Sequence, residues 1–378
     1  MKFTKLSLVA ALAVSAAFAG GDIEPVPAPV VSEFPQTTIG GKLTAYYYTD
    51  DTVDLFDEES SSLGTAATLD VSHKFNANIA LNFSAIGFAN VIDDGYYMEN
   101  EKSGAFFNVA NVTVNFMDTT LVLGRQLLDT PMLGGFDWLL APGAFEAYTA
   151  VNSSVENLTL VGSYIRTWRP NNTGTEFIDI SNGGDDHNWA LGAAYDNKTI
   201  SGSVWYYNVD AALYTQVYVD AGYNFEVAKI EAQYANTDYD TAVESDAYGL
   251  KASATLSGFS LMAAYNNVSD APAGYIGRDG LYTSSWNTFA ATTLGDSFKV
   301  EAGAEFAGIT GSVSYAYYEY EQNAINNINN DDDGSEIDVI LGYNITEAID
   351  INAVYTNTDW GDDADAVNAL EIYANYKF

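Results

Sequence analysis

Residues Leu121 to Ala150 read LVLGRQLLDTPMLGGFDWLLAPGAFEAYTA. A strand-like apolar run breaks at Asp129-Thr130-Pro131, wanders past Gly134-Gly135 to Pro142-Gly143, and resumes as an alternating strand from Phe145. An insert punctuated by Pro and Gly between two strands is ordinarily a solvated surface loop. This one carries Met132, Leu133, Phe136, Trp138, Leu139 and Leu140. So much apolar surface gains free energy only by leaving water. The expectation is that residues 129–143 fold into the mouth of a β-barrel and narrow it.

Outward from that insert the pattern is monotonous. From Ile39 on, segments of about ten residues alternate in polarity between turn signals, the weak signature of barrel strands. In Ser335–Thr346, Ile337, Val339, Leu341, Tyr343 and Ile345 share one face and Asp338, Ile340, Gly342 and Asn344 the other. In Thr199–Asn208, Ile200, Val204 and Tyr206 face one way, while Trp205 breaks the pattern on the face of Ser201, Ser203 and Tyr207. Strands are expected near residues 39–49, 63–75, 79–91, 104–117, 120–128, 144–155, 158–169, 188–196 and 199–209. The second half adds 212–226, 228–239, 245–256, 259–268, 297–307, 309–321, 335–346, 349–359 and 367–378. The predicted class is all-β: a transmembrane antiparallel β-barrel of eighteen strands, with sixteen as the alternative because Ser269–Asp296 is long enough to hide structure.

Link lengths support this. Short turns at Asn76–Asn78, Asp118-Thr119, Glu156-Asn157, Asn197-Lys198, Ser257-Gly258, Gly308 and Glu347-Ala348 alternate with long links such as Asp50–Ser62, Asp129–Gly143 and Pro170–His187. Short turns on one side and long loops on the other are the outer-membrane pattern. Asp210-Ala211 and Asp240–Glu244 depart from it, being short where a long loop is due.

Met1 to Ala19 has Lys2 and Lys5, an apolar core over Leu6–Ala16, and Ala17-Phe18-Ala19 before the expected cleavage site. That is the layout of a secretory signal peptide. Residues 20–36 follow as a Pro-rich periplasmic segment holding half of the chain's eight prolines, and 37–378 as the barrel. Beyond the signal no run approaches the ~20 apolar residues of a membrane helix, so a membrane position requires a closed barrel. There is no cysteine, which removes disulfides and thiolate metal sites. A net charge of −37 argues against nucleic-acid binding, which needs a basic surface. The 27 Tyr and 6 Trp fit aromatic belts at a membrane interface, or a large β core.

Residues 370–378, LEIYANYKF, place Leu370, Ile372, Ala374, Tyr376 and Phe378 on one face and Glu371, Asn375 and Lys377 on the other. With the strand pattern, the motifs Gly41-Lys42-Leu43-Thr44-Ala45-Tyr46-Tyr47-Tyr48, Gly124-Arg125-Gln126-Leu127-Leu128-Asp129-Thr130-Pro131 and Pro142-Gly143-Ala144-Phe145-Glu146-Ala147 resemble the OprD-like outer-membrane porins, particularly the major porins of ε-proteobacteria. The resemblance implies an eighteen-stranded monomer or homotrimer with its third loop folded inward, passing small hydrophilic solutes and ions passively. It also implies a setting of outer-membrane lipid and lipopolysaccharide, and insertion by the barrel-assembly machinery through the strand ending in Phe378. Such porins are known for a ladder of lumen arginines and lysines that guides carboxylates. This chain offers few: Arg125, Arg166, Arg169, Lys229, Lys251 and Arg278.

Pore selectivity follows from the constriction's width and charge. Candidate constriction residues are Arg125, Asp129, Asp137, Trp138, Glu146 and Arg166. Glu146 is placed inward because Phe145, Ala147 and Thr149 take the lipid phase, and Arg125 because a charge facing lipid at mid-membrane costs ~2–4 kcal/mol. Acid clusters in the long loops, with so few bases, predict a weakly cation-leaning pore. Asn329-x-Asp331-x-Asp333-Gly334 opens like a calcium loop, but Ile340 stands where the closing Glu is needed, so solvated charge is the better reading. Catalysis is not expected: His73 and His187 are the two histidines and no nucleophile motif accompanies them. No cofactor or resident metal is expected. The other class kept open is a non-channel surface barrel, an adhesin or structural protein.

Overall fold

The computed structural model describes residues 34–92, 98, 101–135, 140–171, 173–180, 188–241, 243–319, 333–361 and 365–378. Among these residues nineteen strands form one antiparallel sheet, and eighteen of them are long staves. The exception, Ile178–Asp179, is a two-residue bridge beside Thr167 and Trp168. The first stave, Gln36–Asp50, pairs with Ser61–Lys74 on one side and with the last, Val367–Lys377, on the other. The sheet is thus a closed barrel of eighteen strands, as expected, and the sixteen-strand alternative falls away. Closure pairs the ladder groups of every stave, which hydrocarbon surroundings demand.

Alternation sets the two faces. Ile337, Leu341 and Tyr343 are exposed on the outside while Glu336 and Asp338 are buried within. Trp205 and Tyr207 point inward and are buried, so the broken alternation there marks an aromatic pair under a loop. In the last stave Ile372 and Tyr376 are exposed outward and Glu371 is buried inward. Several staves match the sequence expectation closely, among them Asn188–Asp196 and Ala228–Tyr239.

Short turns need unusual backbone. Ser257-Gly258 and Ala307-Gly308 have φ of 49°/87° and 53°/80°. Positive φ at both central residues gives the turn twist that matches tight hairpins. On the opposite side, Asp210–Ala212 is a single 3-10 turn closed by Leu213 in the left-handed region. It and the turn at 240–241 are short loops on the long-loop side and leave the strand count unchanged. Asp270–Leu294 contains no further stave; it enters the barrel.

Candidate pore constriction

The insert after Thr119–Gln126 does fold inward. Leu128, Met132, Leu133, Leu140 and Ala141 are all buried. Leu140 and Ala141 pack with Tyr46, Ala66, Ile86 and Phe88 on the first three staves. Gly64 makes room there, since a Cβ on it would lie 2.6 Å from Leu140 Cδ1. At the insert's root the Tyr207 hydroxyl donates to Thr130 Oγ1 (3.0 Å), and Thr130 Oγ1 donates to the Leu133 carbonyl (2.6 Å). Each buried Leu or Met side chain of the loop contributes about 1.5–3 kcal/mol, which holds the loop against the wall. Phe136, Asp137, Trp138 and Leu139 lie outside the described residues.

A second inward loop, Asp270–Leu294, meets the first. Gly134 N donates to Ile276 O (3.0 Å) and Ile276 N to Met132 O (3.0 Å), a short parallel bridge of Leu133 with Ile276. Arg278 forms an ion pair with Asp129. Glycine is required at 280, where a Cβ would stand 2.2 Å from the Pro131 carbonyl oxygen. The two loops are zipped into one bar across the lumen. From there the second loop runs along the far wall. Lys299 Nζ donates to Ser284 O (2.8 Å), the Tyr318 hydroxyl to Thr283 O (2.8 Å), and Trp286 Nε1 to Glu371 (2.8 Å). Glu336 accepts from Asn287 N (2.7 Å) and the Thr288 hydroxyl (2.6 Å). The sequence marks this link by its length and by Arg278. Its Leu281, Trp286, Phe289, Ala290, Ala291 and Leu294 are the same apolar signal that marked the first insert.

Beneath the bar, the wall carries two charged rows. Glu231, Lys251, Ala264, Lys299, Ala316 and Glu336 are successive cross-strand partners. One row away come Lys229, Ser253, Met262, Glu301, Ser314 and Asp338. Glu231 bridges Lys229 and Lys251 at 3.0 Å each, and Lys299 stands 4.0 Å from Asp338. Lys251 also lies 4.0 Å from the centre of the Tyr282 ring. The basic groups are thus matched by carboxylates or committed to the loop.

The other candidates are placed differently from the sequence expectation. Phe145, Ala147 and Thr149 are 0, 0 and 1 % exposed, inside the barrel under the loop, whereas Tyr148 is 46 % exposed. Glu146 shares the Tyr148 face, so it points outward, and the inward assignment is reversed. The cause is the loop itself: it makes the inner wall apolar here, and alternation then reads inside as outside. Arg125 is the direct partner of Glu146, 4.0 Å away, and donates to Phe107 O (3.0 Å). Both lie near the long-loop ends of their staves, where the cost of an outward charge falls to ~0–1 kcal/mol. Arg166 is exposed in a bulge between Ile165 and Thr167. Among the described candidates, Asp129 reaches the bar, through its ion pair with Arg278. Arg169 is fully buried and fastens loops, donating to Asn108 Oδ1 (3.1 Å), Thr173 O (3.0 Å) and Pro142 O (2.5 Å). His73 bonds Thr37 at 2.8 Å, and His187 lies outside the described residues.

Asp279 knots the second loop, accepting from Leu281 N (2.8 Å), Ala291 N (2.8 Å) and the Ser284 hydroxyl (2.6 Å). Burial raises its carboxyl above the usual range, outweighing those hydrogen bonds. An acid with a raised folded-state pKa stabilises most below its unfolded pKa and loses that contribution as pH rises through the folded one. The loop should therefore loosen as pH climbs from the ordinary carboxyl range through the raised value. Current noise recorded against pH measures this, and Asp279→Asn should flatten the dependence.

The geometry has counterparts. The family model described as outer membrane porin, OprD family, matches residues 97–347. No curated protein matches by sequence. Among solved structures, OccK9 (OpdG) of Pseudomonas aeruginosa superposes with a TM-score of 0.77 at 19 % identity, covering 90 % of this chain and 98 % of that one. OccK3 (OpdO) of the same organism gives 0.76 at 16 %, covering 90 % and 95 %. OpdK of that organism, solved with vanillate, gives 0.76 at 14 %, covering 90 % and 98 %. At such identities the likeness shows the fold, and the matched family model supplies the rest: a closed barrel crossed by an inward bar, in a chain that belongs to the OprD family of outer membrane porins and resides in the cell outer membrane.

Proposed function

We propose that this porin passes small hydrophilic solutes and ions passively through the gap left beside the zipped loops, with a weak preference for cations. The supporting observation is the charged wall. Lys229, Lys251 and Lys299 are set against Glu231, Glu301, Glu336, Asp338 and Glu371 along the arc that the second loop crosses. A basic ladder for carboxylates is not supported, since Arg125 faces outward and Arg169 is spent on loop carbonyls. Vanillate, the ligand of the OpdK structure, is therefore a poor guide to this pore. A reversal potential across a potassium chloride gradient tests the preference: a cation-side value is expected, and a clear anion preference overturns it.

The same reading extends to processing and assembly. Residues 1–19 act as the signal peptide, and the strand ending in Phe378 is the segment presented to the barrel-assembly machinery. The barrel works as a monomer or as a homotrimer, and cross-linking in native membranes decides between them: a monomer band alone, or a ladder up to three.

A further inference from the structure

Where the two inward loops meet, on the long-loop side, the structure holds a cavity of about 310 Å³ that the charged wall does not touch. Its floor is backbone. Gly134 and Gly135 come from the first loop and Gly277 from the second, and side chains are barred there. A Cβ on Gly277 (φ +71°) would stand 2.3 Å from Gly134 O, and one on Gly135 would stand 2.5 Å from Gly143 O. The walls are aromatic: Trp168 from the end of Leu158–Arg169, with Tyr275 and Phe289 from the second loop. Tyr275 and Phe289 have ring centres 5.6 Å apart at 44°, so they form one bent wall. Trp168 is stacked on Phe145, 6.0 Å away at 23°, which fixes its plane. It stands on another side of the cavity, where its Cζ3 would lie 3.2 Å from a Cβ on Gly277.

These rings are half-buried rather than sealed, and Trp168 and Tyr275 pack against the buried cluster. Among the described residues, none lining the cavity carries a charged side chain, and the neighbouring Arg278 is held by Asp129. Aromatic faces carry negative quadrupole density and attract a cation most strongly once it is desolvated. A chain of net charge −37 also concentrates cations at its surface. We propose that this cavity is an entry subsite for small organic cations with an apolar body, of the alkylammonium or quaternary ammonium class. A hydrated inorganic ion gains little there, because shedding its water costs more than three rings return. The subsite rests on the chain being a channel but not on the sign of its bulk ion preference.

Choline titrated against the open-channel current of the full-length protein in potassium chloride is the test. A saturable block is expected, with sodium at equal ionic strength giving none. Tyr275→Ala with Phe289→Ala should weaken the block about tenfold, the scale of losing two cation–π contacts. Tyr275→Phe should keep it. Heat-modifiable electrophoretic mobility checks that each variant is folded. Equal block of wild type and the double variant overturns the proposal. So does equal block by 3,3-dimethylbutanol, the neutral isostere of choline. Absent block together with a cation-side reversal potential overturns the cage alone; block with an anion-side potential overturns the bulk preference alone.

Discussion

A chain carrying Glu336→Ala together with Glu371→Ala should conduct severalfold more than wild type, with frequent switching between current levels. These two carboxylates hold the outer reach of the second loop through Asn287 N, the Thr288 hydroxyl and Trp286 Nε1. A hydrogen bond inside the protein contributes about 0.5–1.5 kcal/mol, so three of them offset much of the ordering cost of a few loop residues. Thr356 and Thr358 still accept from Asn287 Nδ2 at 3.1 and 3.0 Å, so the loop should swing rather than unfold. Single-channel recording measures it. Unchanged conductance in both single variants and the double would mean that the loop is held by its apolar face alone.

Arg169→Met should loosen the other half of the constriction without opening the barrel. The guanidinium is buried, lies 4.6 Å from the Phe106 ring centre, and supplies donors to carbonyls of two loops. Removing it orphans buried acceptors at about 1–3 kcal/mol each. Asn108 Nδ2 still donates to Pro142 O at 3.0 Å, which keeps the loss at the lower end for that group. Arg169→Lys should rescue little, because a point charge cannot serve three divergent acceptors as a planar fork does. Limited proteolysis near residues 140–143 and 173–176 is the measurement, with cleavage expected in both variants. Resistance equal to wild type would remove Arg169 from this role.

Much of the architecture was legible because period-two alternation and one-sided loop lengths are direct imprints of a lipid-facing barrel. Strand count and closure came from those two signals, and the inward course of the first insert from its apolar residues. Sidedness was legible only where the lumen is wet. Along Ser335–Thr346 the inner residues are Asp338 and Gly342 against outer Ile337 and Leu341, and polarity marks the faces. Along Ala144–Val155 the inner residues are Phe145 and Ala147, dried by the loop, and Glu146 was read backwards. Arg169 was equally opaque. A buried arginine serving backbone carbonyls has the same sequence context as a lumen arginine serving solutes. The second inward loop left a clear trace in its apolar residues, which carry the same message as Met132 and Leu133 in the first.

At the seam, Gly41 N donates to Phe378 O (3.0 Å) and Phe378 N to Gly41 O (3.1 Å). Thr44 Oγ1 donates to Asn375 Oδ1 (2.8 Å) across 331 positions of chain. Contacts of such long range are the slowest to form, because loop-closure entropy is met before they return anything. The barrel therefore has a fixed chronology. Seventeen hairpin-type pairings among neighbours can form early, yet none encloses a lumen until the residues at 367–378 arrive, and the bar has no interior to dry against before then. Until that last docking the intermediate is an open sheet with two raw edges, which neither lipid nor a crowded periplasm tolerates for long. Loss of a few residues at the seam would consequently be felt as a failure to finish, long before it is felt as a weaker channel.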